Sequence, residues 1–380
     1  MPKVAGEIFG GILLGPTLMG ALLPETQIIF FRSNGALNQS LEGFYWLGLI
    51  CLMFSAGFHI QKIFSRHHAA HIVALLVGST FLPFTGAWGL LQIFDISHYA
   101  GTLGDRETLN LVLSIAAAVS SIPVISRIFM DLGIIESDFA KRVLAAATIH
   151  DLVLWIILSL LLGKAVGNFQ GLGSLLAAFI VTITFTVGVI AVGPGVINII
   201  PWVRLKSFVR HAPLGWTLIW LLSVTLLGAV LHIHSVFSAF VAGASIGSST
   251  HPRILEAKRQ INDFGLGFFI PLYFSMVGLK INLLAHWDLP LFLMIFVFST
   301  LLMIASVLGA MRLSGASPRE SWNYAFAMNT RGGPGIVLAS LVFDYGIIDS
   351  RLYVALTLNA IITSVIGGAW FRHVTRNGLL

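Results

Sequence analysis

Long apolar runs separated by short polar breaks extend from one end of the chain to the other. A membrane-spanning helix needs roughly 20 apolar residues. Cutting the runs at charged residues and at Pro/Gly breaks predicts about twelve such helices. They are Val4–Leu22, Gly43–Ile60, Ala69–Ile93, Leu109–Met130, Phe139–Leu162, Leu172–Ile200, Pro213–Leu231, Ser235–Ser248, Phe264–Leu279, Leu289–Met311, Ser321–Phe343 and Leu352–Phe371. The fold class expected is therefore an all-α integral membrane protein, a single transmembrane domain over residues 1–380.

Composition sharpens that picture. Of the 380 residues 57% are hydrophobic and 10% charged, where a soluble domain carries roughly 25% charged residues. A chain so poor in charge cannot cover a globular surface with polar groups, so lipid is its expected partner. The net charge of +6 does not point to nucleic acid, because the basic residues are scattered between apolar runs. Loops after even-numbered helices hold 14 Lys and Arg, among them Lys62, Arg66, Arg204, Lys206 and Arg210. Loops after odd-numbered helices hold 5 (Arg32, Arg106, Lys164, Lys280 and Arg351). The positive-inside rule then puts both termini in the cytoplasm. Cys51 is the only cysteine, which rules out an internal disulfide. The first apolar segment has neither the basic region nor the cleavage site of a signal peptide.

A faint repeat is visible. LMFSAGFHI, ending the second segment, echoes LYFSMVGLKI, ending the ninth, and GEIFGGILLG in the first echoes FVAGASIG in the eighth. An offset of seven segments, an odd number, puts the copies in opposite orientations. Inverted repeats of this kind mark secondary transporters whose site lies near the bilayer midplane. Gly6, Gly10 and Gly11 predict close helix packing at a subunit or domain interface.

Among the 16 acids, Asp151 stands out because it sits at the centre of an apolar run, VLAAATIHDLVLWIILSLLL. A charge at that depth costs about 2.5–3.5 kcal/mol on insertion scales, so such residues face the protein interior and are usually functional. A carboxylate held away from water can exchange a proton for a cation, the minimum equipment of an exchanger; the alternative is a buried acid that ties helices together. His150 precedes it, pointing about 100° away around the helix. It is either a titrating gate or a neutral hydrogen-bonded packing residue.

Two segments look interrupted: AAAVSSIPVIS, with Ser120, Ser121 and Pro123, and AMNTRGGPGIV, with Asn329, Thr330 and the run Gly332–Gly335 around Pro334. Proline and paired glycines break the helical ladder. Backbone freed at membrane depth is tolerated only where it is buried or lines a cavity. Half-helix ends there offer carbonyl oxygens to cations and positive dipoles to anions. Arg331 is too costly to face lipid, so it either offsets the negative helix ends or counters Asp151. His232 and His234 lack a third ligand at useful spacing, and no metal site or cofactor is expected.

With these residues in hand, the chain resembles the monovalent cation/proton antiporter superfamily, in its bacterial sodium/proton exchanger and Kef-type branch. The resemblance is carried by KVAGEIFGGILLGP, LGLICLMFSAGFHI, AAATIHDLVLWIILSLL, FFIPLYFSMVGLKINL and NTRGG. It implies inverted repeats with two discontinuous crossing helices. It also implies a core over 69–162 and 289–371 that moves like an elevator against a dimerising scaffold over 4–60 and 172–279. On this resemblance Asp151 is the ion-binding carboxylate, with Ser120, Ser121 and Thr330 completing the site and His150, Arg331, Asn329 and Pro123 supporting or gating it. Two positions depart from the family: His150 replaces an Asp or Asn, and Ser306 aligns with a lysine. The family usually has one more helix before the first, and a start without it would agree with the cytoplasmic N-terminus expected from charge; regulation through a nucleotide-binding domain of the Kef type is not expected.

The expected function is exchange of protons for sodium or potassium by a homodimer in a bacterial inner membrane. A proton-coupled carrier of another solute, or a channel-like efflux protein, is the alternative. An intramembrane hydrolase is disfavoured, since no second catalytic acid or activated nucleophile lies at depth.

Overall fold

A computed structural model describes residues 3–31, 36–58, 69–165, 167, 172–199, 212–247, 249 and 252–379. Arg32, Lys62, Arg66, Arg204, Lys206 and Arg210, used above to count loop charge, lie outside them, as does Ile60. The described residues are helical, apart from turns and one isolated antiparallel bridge between Ala100 and Ile348.

In chain order the helices are α1 (Lys3–Leu14), α2 (Met19–Leu22), α3 (Pro24–Phe31), α4 (Ala36–Gly57), α5 (Ala69–Leu76), α6 (Leu82–Leu91), α7 (Arg106–Ala118), α8 (Ile122–Asp131), α9 (Asp138–Ala165), α10 (Leu172–Ile199), α11 (Pro213–Val230), α12 (Ser235–Gly247), α13 (Pro252–Phe264), α14 (Ile270–Leu279), α15 (Leu283–His286), α16 (Leu289–Leu313), α17 (Pro318–Met328), α18 (Gly332–Asp344) and α19 (Ser350–Arg376). A wide π turn, Val77–Phe81, joins α5 to α6 and another, Gly265–Phe269, joins α13 to α14.

Ten helices among the described residues are long and apolar enough to cross a membrane. The other two of the expected twelve are accounted for differently. α12 is apolar but has 13 residues, and the stretch 318–344 is two helices, neither long enough alone. The ninth segment starts earlier than its apolar run suggests. Charges at Arg253, Lys258 and Arg259 disguise Pro252–Phe264 as a loop, yet Ile254, Ala257 and Ile261 form a buried stripe at helical spacing.

The chain divides into two compact units, one comprising Lys3–Lys62 and Gly167–Asn282, the other Ile63–Val166 and Leu283–Leu380. In the first unit, glycines let helices approach closely. A methyl group on Gly11 of α1 would overlap the Ser275 carbonyl of α14, and one on Gly243 of α12 would overlap the Phe54 carbonyl of α4. The close packing expected of Gly11 is thus made inside this unit, while Gly6 and Gly10 have open space around them. Lys258 donates to the Gly247 carbonyl at 2.6 Å, capping the negative end of α12.

The second unit is built on α9. Phe139, Val143, Ala146, Ala147, Leu154 and Leu158 repeat at helical spacing and are all buried, against α5, α7, α8 and α17. Its helix starts are deliberately capped. Asp105, Asp288 and Asp349 accept N–H groups of Thr108, Leu291 and Leu352 at 2.7, 3.0 and 2.8 Å, and Ser317 with Glu320 forms a capping box. Replacing Asp349 by Ala should destabilise the protein by about 1 kcal/mol, the typical worth of an N-cap; thermal unfolding in detergent checks this.

Candidate ion site at two interrupted helices

Both expected interruptions are present, in the same unit. α7 ends at Ala118, residues 119–121 are extended, and α8 restarts with Ser121 as its N-cap. The Ser121 Oγ accepts the Val124 N–H at 3.4 Å. Pro123 falls in the first turn of α8, where a missing N–H costs nothing. α17 ends at Met328, and α18 restarts at Gly332 with Arg331 as its N-cap. The two restarts touch. Gly332 has φ +43°, a left-handed conformation natural to glycine, and a methyl there would overlap Val124 Cγ2 and sit 2.9 Å from Ser121 Oγ. Thr330 Oγ1 donates to the Phe326 carbonyl at 3.1 Å. It lies so close to Gly367 of α19 that a methyl on that glycine would overlap it.

His150, Asp151 and Arg331 are the buried His, acidic and basic residues among the described residues, and all three belong to this unit. Arg331 is 1% exposed. Its Nε and Nη2 donate to the carbonyls of Ala116 and Ala117, each at 3.1 Å, at the end of α7. Nη2 also donates to the Ser299 carbonyl of α16 at 2.9 Å, and Nη1 to Asn329 Oδ1 at 2.6 Å. Of the two roles open from the sequence, the geometry is that of a cap on a negative helix end.

Asp151 is 4% exposed. Among the described residues no hydrogen bond or ion pair reaches its carboxylate. His150, fully buried, is engaged at both ring nitrogens. Nδ1 lies 2.8 Å from Thr80 Oγ1 in the first π turn, and Nε2 accepts the backbone N–H of Ser120 at 3.2 Å. The residue next to the carboxylate is therefore tied directly to the interruption of the α7–α8 segment.

Among the described residues this unit holds nine buried side-chain oxygens without partners, Ser79 Oγ, Ser120 Oγ and Asn359 Oδ1 among them. Asn359 of α19 donates through Nδ2 to Ser299 Oγ at 3.3 Å, which links it to the residue whose carbonyl Arg331 holds. Hard cations take oxygen ligands, and one carboxylate with spare hydroxyl and amide oxygens suits such an ion. No group of three His, Cys, Asp or Glu side chains able to hold a metal occurs among the described residues. Thr80, Ser299 and Asn359 were not singled out from the sequence, although Asn359 is a bulky polar group in the middle of an apolar run. Ser306 turns its Oγ onto the Leu302 carbonyl of its own helix at 2.7 Å.

The family model of the sodium/hydrogen exchanger, transmembrane, matches residues 1–377. Cation/H(+) antiporter 15 of Arabidopsis thaliana is 27% identical over 96% of this chain and 44% of its own length. K(+)/H(+) antiporter 1 of Saccharomyces cerevisiae is 27% identical over 96% of this chain and 42% of its own. The chain thus spans less than half the length of these two relatives. Na(+)/H(+) antiporter NhaS4 of Synechocystis is 24% identical over 96% of this chain and 89% of its own length. The solved sodium proton antiporter MjNhaP1 of Methanocaldococcus jannaschii superposes with a TM-score of 0.65 at 16% identity, covering 100% of this chain and 93% of that one. That match establishes a shared fold. By the match over nearly its whole length, the chain belongs to the transmembrane sodium/hydrogen exchanger family.

Proposed function

We propose that the protein exchanges protons for a monovalent cation, sodium or potassium, across a bacterial plasma membrane. Asp151 holds the proton and the cation by turns. Ser120 and Ser121, with the backbone around Thr330, supply further oxygens. The unit holding Asp151 carries the ion by alternating access, in a homodimer with both termini cytoplasmic. The observation that carries this reading is a buried carboxylate, unbonded among the described residues, next in sequence to a histidine anchored on an interrupted helix. A burial this complete, left without a counter-charge, favours a group that is neutralised in turn by H+ and by a cation. The relatives named for K(+)/H(+) and Na(+)/H(+) exchange support the two candidate ions.

In proteoliposomes with an internally trapped pH dye, adding sodium or potassium should dissipate an imposed pH gradient. Asp151→Asn, which keeps the shape and removes the charge, should abolish the response. Full activity in that variant would refute the assignment. A response to voltage without any requirement for counter-transport would favour a channel.

A further inference from the structure

The bonding of His150 fixes more than its position. A ring nitrogen that accepts an N–H carries no proton of its own, so Nε2, which receives the Ser120 amide, is the bare nitrogen. The ring proton of a neutral imidazole then resides on Nδ1, which donates it to Thr80 Oγ1. Thr80 reaches the ring from the π turn Val77–Phe81, in which the three consecutive residues Gly78, Ser79 and Thr80 are buried. That turn is packed tightly onto α16. A methyl on Gly78 would sit 2.8 Å from Ala310 Cβ and 3.1 Å from both the Ser306 carbonyl and Val307 Cα. π turns inside α-helices occur frequently at functional sites, and this one delivers a hydroxyl to a residue that holds an open peptide.

We propose that Thr80 anchors the His150 ring, whose tautomer the Ser120 amide dictates, so that the imidazole acts as a positioning residue for the extended segment 119–121 and not as a second proton carrier. This rests on the exchange reading above for its consequence. If one group titrates per cycle, it is Asp151, and His150 keeps Ser120 in place while that happens. Without Thr80 the Nδ1 proton has no acceptor. Moving that proton to Nε2 would set donor against donor at the Ser120 amide, so the ring gains instead by turning its Nδ1–H toward another acceptor. Nε2 is then drawn off the Ser120 N–H, and the segment loses its anchor.

Four variants test the proposal: Thr80→Val, Thr80→Ser, His150→Leu and His150→Gln. Glutamine offers an acceptor and a donor on one amide, and serine retains the hydroxyl. Two readouts apply: backbone hydrogen exchange over residues 116–124 by mass spectrometry, and the cation concentration giving half-maximal exchange, measured across pH. Thr80→Val and His150→Leu should open the segment to exchange and raise the half-saturating cation concentration by about tenfold, the scale of one buried hydrogen bond left unmade. Thr80→Ser and His150→Gln should stay close to the parent, with an unmoved pH profile.

Parent-like behaviour of Thr80→Val in both readouts overturns the proposal, as does a shifted pH profile in His150→Gln. Should His150→Leu fail to fold, Thr80→Val decides alone. The hydrogen-exchange arm needs no transport. If the parent shows no cation/proton exchange, the functional reading fails while the amide protection of segment 119–121 still judges the role of His150.

Discussion

Arg331→Met should lower the thermal midpoint by about 4 °C, a large loss for a single residue in a chain of 380. The guanidinium serves two carbonyls at the end of α7, one of α16 and the Asn329 side chain. Methionine fills much of the volume and removes every donor. The Ala116 and Ala117 carbonyls lie beyond the last helical N–H groups that could bond them from within α7, so they become orphans in a buried site. Each buried polar group left unsatisfied costs about 1–3 kcal/mol. Removing the charge also relieves its own burial, which offsets part of the loss. The net expectation is about 3 kcal/mol. Arg331→Lys should recover only part of it, because an ammonium point charge cannot span acceptors that a planar fork reaches together. Melting curves in detergent, followed by tryptophan fluorescence, test both variants. A methionine variant that melts with the parent would mean that these carbonyls are satisfied in another way.

Gly332→Ala should cost about as much stability by a different route, and slow transport as well. At φ +43° an L-residue is strained by about 1–2 kcal/mol. Its methyl would also run into Val124 and crowd Ser121 Oγ, forcing apart the two restarting helices. The combined expectation is about 3 kcal/mol of destabilisation and an exchange rate at least about tenfold lower. The two contributions separate in a double-mutant cycle. Val124→Ala removes the steric partner and should restore part of the stability lost by Gly332→Ala, leaving the backbone strain in place. Additive effects of the two substitutions would show that the overlap is not what hurts.

Much of this arrangement could be read in the sequence, and what was missed has physical reasons. The interruptions at Ser120–Pro123 and at Asn329–Gly335 announce themselves because proline and glycine pairs inside an apolar run have few other uses. Asp151 is visible because a charge at depth is costly. Two readings of Arg331 were open, since its sequence position gives no clue to which acceptors surround it; the carbonyls of α7 and α16 come from residues 32 to 215 positions away. Thr80 was missed because a π turn has no compositional signature, and a threonine in a membrane helix usually bonds its own backbone, as Thr148, Thr217 and Thr225 do here. Asn359 was missed by attending to charge alone. The count of twelve spans assumed one helix per apolar run, whereas α12 is short and α17–α18 is split by the very residues that mark the site.

One side chain grips three separate stretches of chain at the middle of this unit: the end of α7, the wall of α16 and the turn before α18. A carrier assembled from loosely joined half-helices could let one half slip while the other stays, and each slip would be an uncoupled leak. Under the exchange proposed above, halves riveted through Arg331 would shift together or not at all. Tightness of coupling would then depend less on how strongly the cargo is held than on whether its frame can come apart.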